Sequence, residues 1–167
     1  FPGGFGTLDE GFENMTLLQT GKSLPRPIVL AEPENGVFWE NWLHHIKTDL
    51  LGNGYINEDD LKLFYISRSV DQSVKYILDF FRVYHSLRYV KELTVLRFTR
   101  EIPKTLIDRL NGEFEDIIRD GTIQSSPPLQ EELLKKEFPD MPRLVFNFNK
   151  RDFGRLMDLI HYINRYA

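Results

Sequence analysis

The chain contains no cysteine among its 167 residues. Disulfides, zinc–thiolate centres and cysteine nucleophiles are excluded, and a reducing, cytoplasmic compartment fits. It also lacks an excess of positive charge: 21 Lys and Arg stand against 25 Asp and Glu, a net charge of −4, and no basic block stands out. A nucleic-acid backbone or an anionic membrane would ask for the opposite balance, so neither is expected as a partner. No apolar run approaches the roughly 18 residues that would span a bilayer. There is no H-x-x-x-H spacing and no G-x-S-x-G elbow, which leaves a metal site and a serine triad without support. His44 and His45 are adjacent and so point to different helix faces, while His85 and His161 stand alone. What the chain does have is 41% apolar residues, 28% charged residues and 13 Phe, the composition of a well-packed globular protein. Its length suits one domain or two small ones.

Periodicity predicts the order of elements. Leu8, Phe12, Met15 and Leu18 mark a helix, ended by Gly21 and the Pro25/Pro27 pair. Pro27 to Ala31 reads as a buried strand, Phe38 to Ile46 as a second helix, and Leu63 to Ile66 as a second buried strand. Ser69 and Gln72 form a capping box that opens a helix running to about His85. This alternation is half of a parallel-sheet α/β domain, over residues 1–88. Beyond a boundary near Ser86 to Tyr89 the pattern becomes β-α-β-β-α over 89–167. Its strands are expected at Leu93–Phe98, Gly121–Ser125 and Leu144–Phe148, the last alternating as a half-buried strand would. Helices are expected from Pro103 to Ile118 and from Phe153 to Ile163. The charged stretch Glu131 to Glu137 reads as a solvated face. Trp39 and Trp42 read as core.

The first ten residues carry the chemistry. In Pro2-Gly3-Gly4-Phe5-Gly6-Thr7-Leu8-Asp9-Glu10, three glycines within four residues permit a close backbone approach by a ligand, and the loop leads into a helix. Free N–H groups and the dipole at such a helix start favour an anion, most often a phosphate. Thr7 adds a hydroxyl, and Glu10, about one turn in, can face the same ligand. Three familiar motifs fail by position. The dinucleotide pattern would need its third glycine where Asp9 stands, and a P-loop ending in Gly21-Lys22-Ser23 would need glycine where Thr16 stands. A calcium loop over Asp49 to Asp60 has Leu51 at a ligand position and Asp rather than Glu at its end.

The same string matches P-G-G-x-G-T-x-x-E, the signature of the LOG (Lonely Guy) family, long labelled lysine-decarboxylase-like. The likeness continues through Glu13 to Lys22 and the strand Pro27 to Leu30, and is looser to about residue 85. The resemblance implies a Rossmann-like domain of which residues 1–88 are the C-terminal half. It implies hydrolysis of the N-glycosidic bond of a nucleoside 5′-monophosphate, of AMP or cytokinin-ribotide type, to free base and ribose 5-phosphate. By motif position, Gly3, Gly4, Gly6 and Thr7 would cradle the 5′-phosphate and Glu10 would be the catalytic carboxylate. No cofactor and no metal are implied, and a homodimer is. The residues after Tyr89 resemble the extra module of a longer bacterial subgroup. The family places further strands, a glycine motif and a catalytic Arg ahead of this loop, so the chain resembles the C-terminal fragment of such an enzyme, the activity belonging to the longer protein. The alternative is a nucleotide-binding protein without hydrolytic activity; Glu10 favours the enzyme, because a pure phosphate binder has no need of an anion beside the sugar.

Overall fold

The computed structural model describes residues 1–167. Its packing divides the chain into two units, Phe1–Leu78 with Asp152–Met157, and Asp79–Arg151 with Asp158–Ala167. The architecture is α/β: a parallel pair of strands in the first unit and a four-stranded antiparallel sheet in the second.

In the first unit, helix α1 (Phe5–Gln19) begins three residues earlier than the apolar spacing predicts, because Gly6 and Thr7 already lie in its first turn. It ends where Gly21 takes φ +68 and donates to the Leu18 carbonyl at 3.1 Å, with Ser23 N–H on Leu17 O at 2.9 Å. That left-handed turn favours glycine. A side chain at Gly21 would also meet the Phe153 ring. Strand β1 (Val29–Ala31) pairs in parallel with β2 (Tyr65–Ser67), Leu30 opposite Ile66. Between them run α2 (Phe38–His45), a π-helical continuation over Ile46–Leu51, and a 3₁₀ turn over Glu58–Leu63. Asp60 fixes that turn by accepting from Asn57 N–H and from Gln19 Nε2, each at 2.8 Å. Trp39 is buried, and Trp42 packs edge-on against both Trp39 and Phe64. After β2, helix α3 (Val70–Phe80) opens with Ser69 Oγ accepting from Gln72 N–H, while Gln72 Oε1 takes the Arg68 N–H rather than that of Ser69.

The helix predicted to reach His85 stops at Phe80. Strand β3 (Tyr84–Val90) follows, crossing residues 86–89. Its buried residues are Tyr84, Leu87 and Val90: a bulge between Tyr84 and Ser86 brings Tyr84 and Leu87 to one face, while Val90 is buried on the other, against Val95 and Val145. Strand β4 (Leu93–Phe98) lies beside it. Helix α4 (Lys104–Glu113) follows Pro103 and ends before Ile117 and Ile118; Ile118 instead begins β5 (Ile118–Ser125). The sheet order is β3-β4-β6-β5, with β6 (Arg143–Phe148) between β4 and β5. Asn111 on α4 holds the edge strand: its side chain accepts from Ile123 N–H at 2.7 Å and donates to Ile123 O at 2.9 Å. In helix α6 (Phe153–Tyr166), buried Asn164 accepts from the N–H groups of Val83 and Tyr84 at 2.9 and 3.0 Å.

β6 is buried on both faces rather than one. Leu144, Phe146 and Phe148 are covered on one side, and on the other Val145 packs with Val90, Val95 and Leu129. Leu133 to Lys136 are exposed as predicted, and the cover on that second side is Leu129, which leads into the charged segment. It forms α5 (Gln130–Lys135), and Glu132 on it is fully buried. The reason lies beneath it: Arg97 and Arg143 stand directly opposite each other on β4 and β6. Two facing cations destabilise a sheet unless an anion separates them. Glu132 does so, with Oε1 2.6 Å from Arg97, Oε2 2.6 Å from Arg143, and the Leu129 N–H on Oε2 at 3.1 Å. Burial alone would raise the Glu132 carboxyl, but the Leu129 amide and the two guanidinium groups outweigh it and hold it below its ordinary value. Glu132→Ala leaves two buried arginines without their shared carboxylate, and a loss of about 3–5 kcal/mol in urea unfolding is expected. Because the carboxyl is depressed, its contribution is complete above its unfolded value and fades as pH falls below about 4.5. The gap between wild type and Glu132→Ala should therefore narrow in acid.

Candidate functional site

Gly4 caps α1 in an extended conformation and offers no side chain; its carbonyl accepts from Thr7 and Leu8 N–H at 3.1 and 3.2 Å. The amides of Phe5 and Gly6, in the first turn, have no carbonyl within the helix to bond. No acidic residue occupies that turn. The result is a bare, positively polarised helix start.

The three glycines serve two purposes. Thr7 folds its hydroxyl back over Gly3, so any Cβ at Gly3 would collide with Thr7 Oγ1. At Gly4 and Gly6 a Cβ would meet nothing. Their lack of a side chain is not explained by packing within the protein. It leaves the main chain accessible to whatever approaches.

Glu10 lies one and a half turns along α1 and is exposed. Asn14, one turn further, donates through Nδ2 to the Glu10 carbonyl at 2.8 Å and to Glu10 Oε1 at 2.9 Å. The Asn14 amide oxygen in turn accepts from Arg26, whose other terminal nitrogen donates to Ser23 Oγ. Carboxylate, amide and guanidinium thus form one chain of hydrogen bonds that sets Oε1 and leaves Oε2 without a protein donor. Gly6, Thr7, Glu10, Asn14 and Arg26 line an open groove of about 670 Å³, closed along one side by Ile28 and Leu30. The structure therefore brings Gly6, Thr7 and Glu10 onto one groove, with Gly3 beneath Thr7 and Gly4 at the helix start.

Arg26 and Asn14 are additions to the sequence-based set. A cation between Pro25 and Pro27, just before a strand, was the available signal for Arg26. The spacing of four from Glu10 was the signal for Asn14. The residues of the rejected motifs have other work. Asp49 pairs with His45 at 2.7 Å, and Gly21 ends α1. His161 packs edge-on against Phe80 in the second unit, where burial pushes its imidazole below its ordinary value.

Residues 1–77 match the family model described as possible lysine decarboxylase. The match begins on the glycine motif and takes in α1, β1, α2, β2 and most of α3. It stops before the antiparallel sheet. No curated protein matches the chain. No helix is long and apolar enough to cross a membrane.

The two glycine classes predict different behaviour. Gly6→Ala replaces glycine in a helix with nothing in the way, so stability should hold or rise by about 0.5–1 kcal/mol. Affinity for ribose 5-phosphate should nevertheless fall at least tenfold. Unfolding midpoints and equilibrium dialysis on the same variant check both halves; unchanged affinity would show that nothing approaches this turn.

Proposed function

We propose that this chain carries the phosphate-binding loop and catalytic carboxylate of an N-glycosidase that hydrolyses a nucleoside 5′-monophosphate to free base and ribose 5-phosphate. The observation that carries the reading is the spacing along α1. The phosphate would sit on the uncapped amides of Phe5 and Gly6 with the Thr7 hydroxyl beside them. At 1.5 Å per residue, Glu10 lies about 7.5 Å further along the helix axis, a distance on the scale of a ribose. Asn14 holds one carboxylate oxygen, and the other is available to the ligand.

Chemically the arrangement suits glycosidic cleavage. The sugar passes through an oxocarbenium-like state whose positive charge a carboxylate stabilises. The same carboxylate can take a proton from the attacking water as the base departs. Arg26, joined to Glu10 through Asn14, keeps the acid in place and adds positive charge on the groove wall. The LOG-type match over residues 1–77 supports the reading, because it covers all of these residues.

The test is incubation of the longest natural form of the protein with AMP, following free adenine by chromatography. Glu10→Gln should lower turnover by about 10²–10⁴-fold, the range of a lost general base or acid. Ribose 5-phosphate affinity should stay within about threefold, since the first turn of α1 is untouched. Release of base at the wild-type rate by Glu10→Gln would remove Glu10 from the chemistry.

A further inference from the structure

Charge converges a second time on the antiparallel sheet, in the unit that the family match does not reach. Strand alternation alone would send His85 and Ser86 to opposite faces. The bulge between Tyr84 and Ser86 brings both to one face. There the His85 ring packs on Phe138, 4.6 Å away, and its Nδ1 lies 2.9 Å from Ser86 Oγ. Bulges re-aim side chains in this way beside binding sites. Arg88 stands two residues along on the same face, and Arg97 lies directly opposite Ser86 on β4, its Nη1 3.5 Å from Ser86 Oγ. Two guanidinium groups, a hydroxyl and an imidazole thus gather at one spot.

The anion that answers them is Glu137, and it fits less well than Glu132 fits its own place. Glu132 is fully buried and spends one oxygen on Arg97 and the other on Arg143. Glu137 meets Arg88 and Arg97 with Oε2 alone, and 34% of its side chain is exposed. The Arg88 side chain makes no other hydrogen bond within the protein. Arg88, Arg97 and Arg143 therefore share two carboxylates, which leaves an excess of positive charge.

The main chain presents Glu137 under strain. Its N–H reaches the Glu132 carbonyl at 3.0 Å and the Lys136 N–H reaches the Leu133 carbonyl at 3.1 Å, a helix ending that favours glycine at its left-handed position. Lys136 holds that position here at φ +53, and Phe138, on the other side of Glu137, stands at φ +48. Left-handed backbone is unfavourable for residues with side chains, bulky ones above all. Little apolar packing offsets it, because Leu133, Leu134 and Phe138 are exposed. Both ends of the segment are anchored, by Glu132 on one side and by the Met141 carbonyl, which accepts from Arg143 Nη2 at 2.8 Å, on the other. Only the turn between them has to move to uncover Arg88 and Arg97.

We propose that Arg88 and Arg97, with Ser86 beside them, form a seat for a phosphate group, that Glu137 occupies it as an internal stand-in, and that phosphate frees the turn 133–138 by displacing Glu137. A phosphate offers each guanidinium its own oxygen, where Glu137 offers one to both. Its departure also lets Lys136 and Phe138 leave the left-handed region. Phosphate and the closed turn compete for the same arginines, so each shifts the population of the other. The seat lies in the second unit and stands or falls independently of the hydrolase reading.

Trypsin reads the turn directly, since Lys135 and Lys136 lie on it. In the wild-type chain, inorganic phosphate should speed cleavage there at least threefold over sodium chloride at the same ionic strength, a comparison that separates binding from screening. Glycerol 3-phosphate as the second probe distinguishes an esterified ligand from the free anion by which acts at the lower concentration. Glu137→Gln keeps the shape and removes the charge. Its turn should be cut rapidly without phosphate, and equilibrium dialysis should show one additional phosphate per chain, bound at least tenfold more tightly than the wild type binds it at this seat. Arg88→Ala added to Glu137→Gln should abolish that additional phosphate. The start of α1 is identical in all three proteins, so phosphate held there cancels. A cooperative unfolding transition checks that each variant is folded, and the wild-type comparison needs no variant. Cleavage that follows ionic strength alone, no additional phosphate in Glu137→Gln, or one that survives Arg88→Ala would each overturn the proposal.

Discussion

The first turn of α1 is the constraint around which the first unit is arranged. A helix start leaves amides with no partner inside the helix, and proteins normally meet them with a side-chain cap or water. Here the capping position is Gly4, which has no side chain to offer, and the next turn carries no acid. Thr7 is turned back over Gly3, placing its hydroxyl at the same end. A helix start so stripped of its own anions is suited to one supplied from outside. Gly4 and Gly6 are exposed there, Glu10 stands beyond the first turn, and Arg26 is joined to it through Asn14.

Two buried glutamates show how differently the chain treats charge. Glu132 sits between Arg97 and Arg143, accepts the Leu129 amide, and is complete. Its work is internal: it makes tolerable two arginines that face each other across β4 and β6, and in doing so it fixes α5 over the sheet. Glu32 is almost as deeply buried, yet one of its oxygens has no donor. An unmet carboxylate oxygen in an apolar setting is unfavourable.

Legibility in the sequence followed the range of the interaction concerned. Helix α1 and the parallel β1–β2 pair were readable because their signals are local: a helical spacing and two short apolar runs. The helix ending at Phe80 was carried on to about His85 because Phe81 continues the spacing of Val74, Ile77 and Leu78, and β3 went unread because a bulge interrupts its alternation and both its faces are buried. β6 was expected to have a wet face, which Leu129 and α5 in fact cover. Glu131 to Glu137 looked like a solvated run because nothing within it reveals that Arg97, 35 residues away, and Arg143 require Glu132. Arg26 was missed for the same reason: it is ordinary in its own stretch of chain, and its place on the groove comes from a residue elsewhere, Asn14.

The position of Glu10 carries the argument from binding toward chemistry. An anion-binding helix start is weakened by any carboxylate within its first turn, because the two anions compete for the same amides. A protein that needed only to hold a phosphate would gain from a neutral residue along the groove. Glu10 stands far enough along α1 to leave the first turn clear, yet it remains on the same groove as Thr7, its Oε1 held by Asn14. Holding an acid there is useful if positive charge develops beside it during the reaction. An oxocarbenium-like sugar, one ribose length from its own phosphate, develops charge of that sign at that distance.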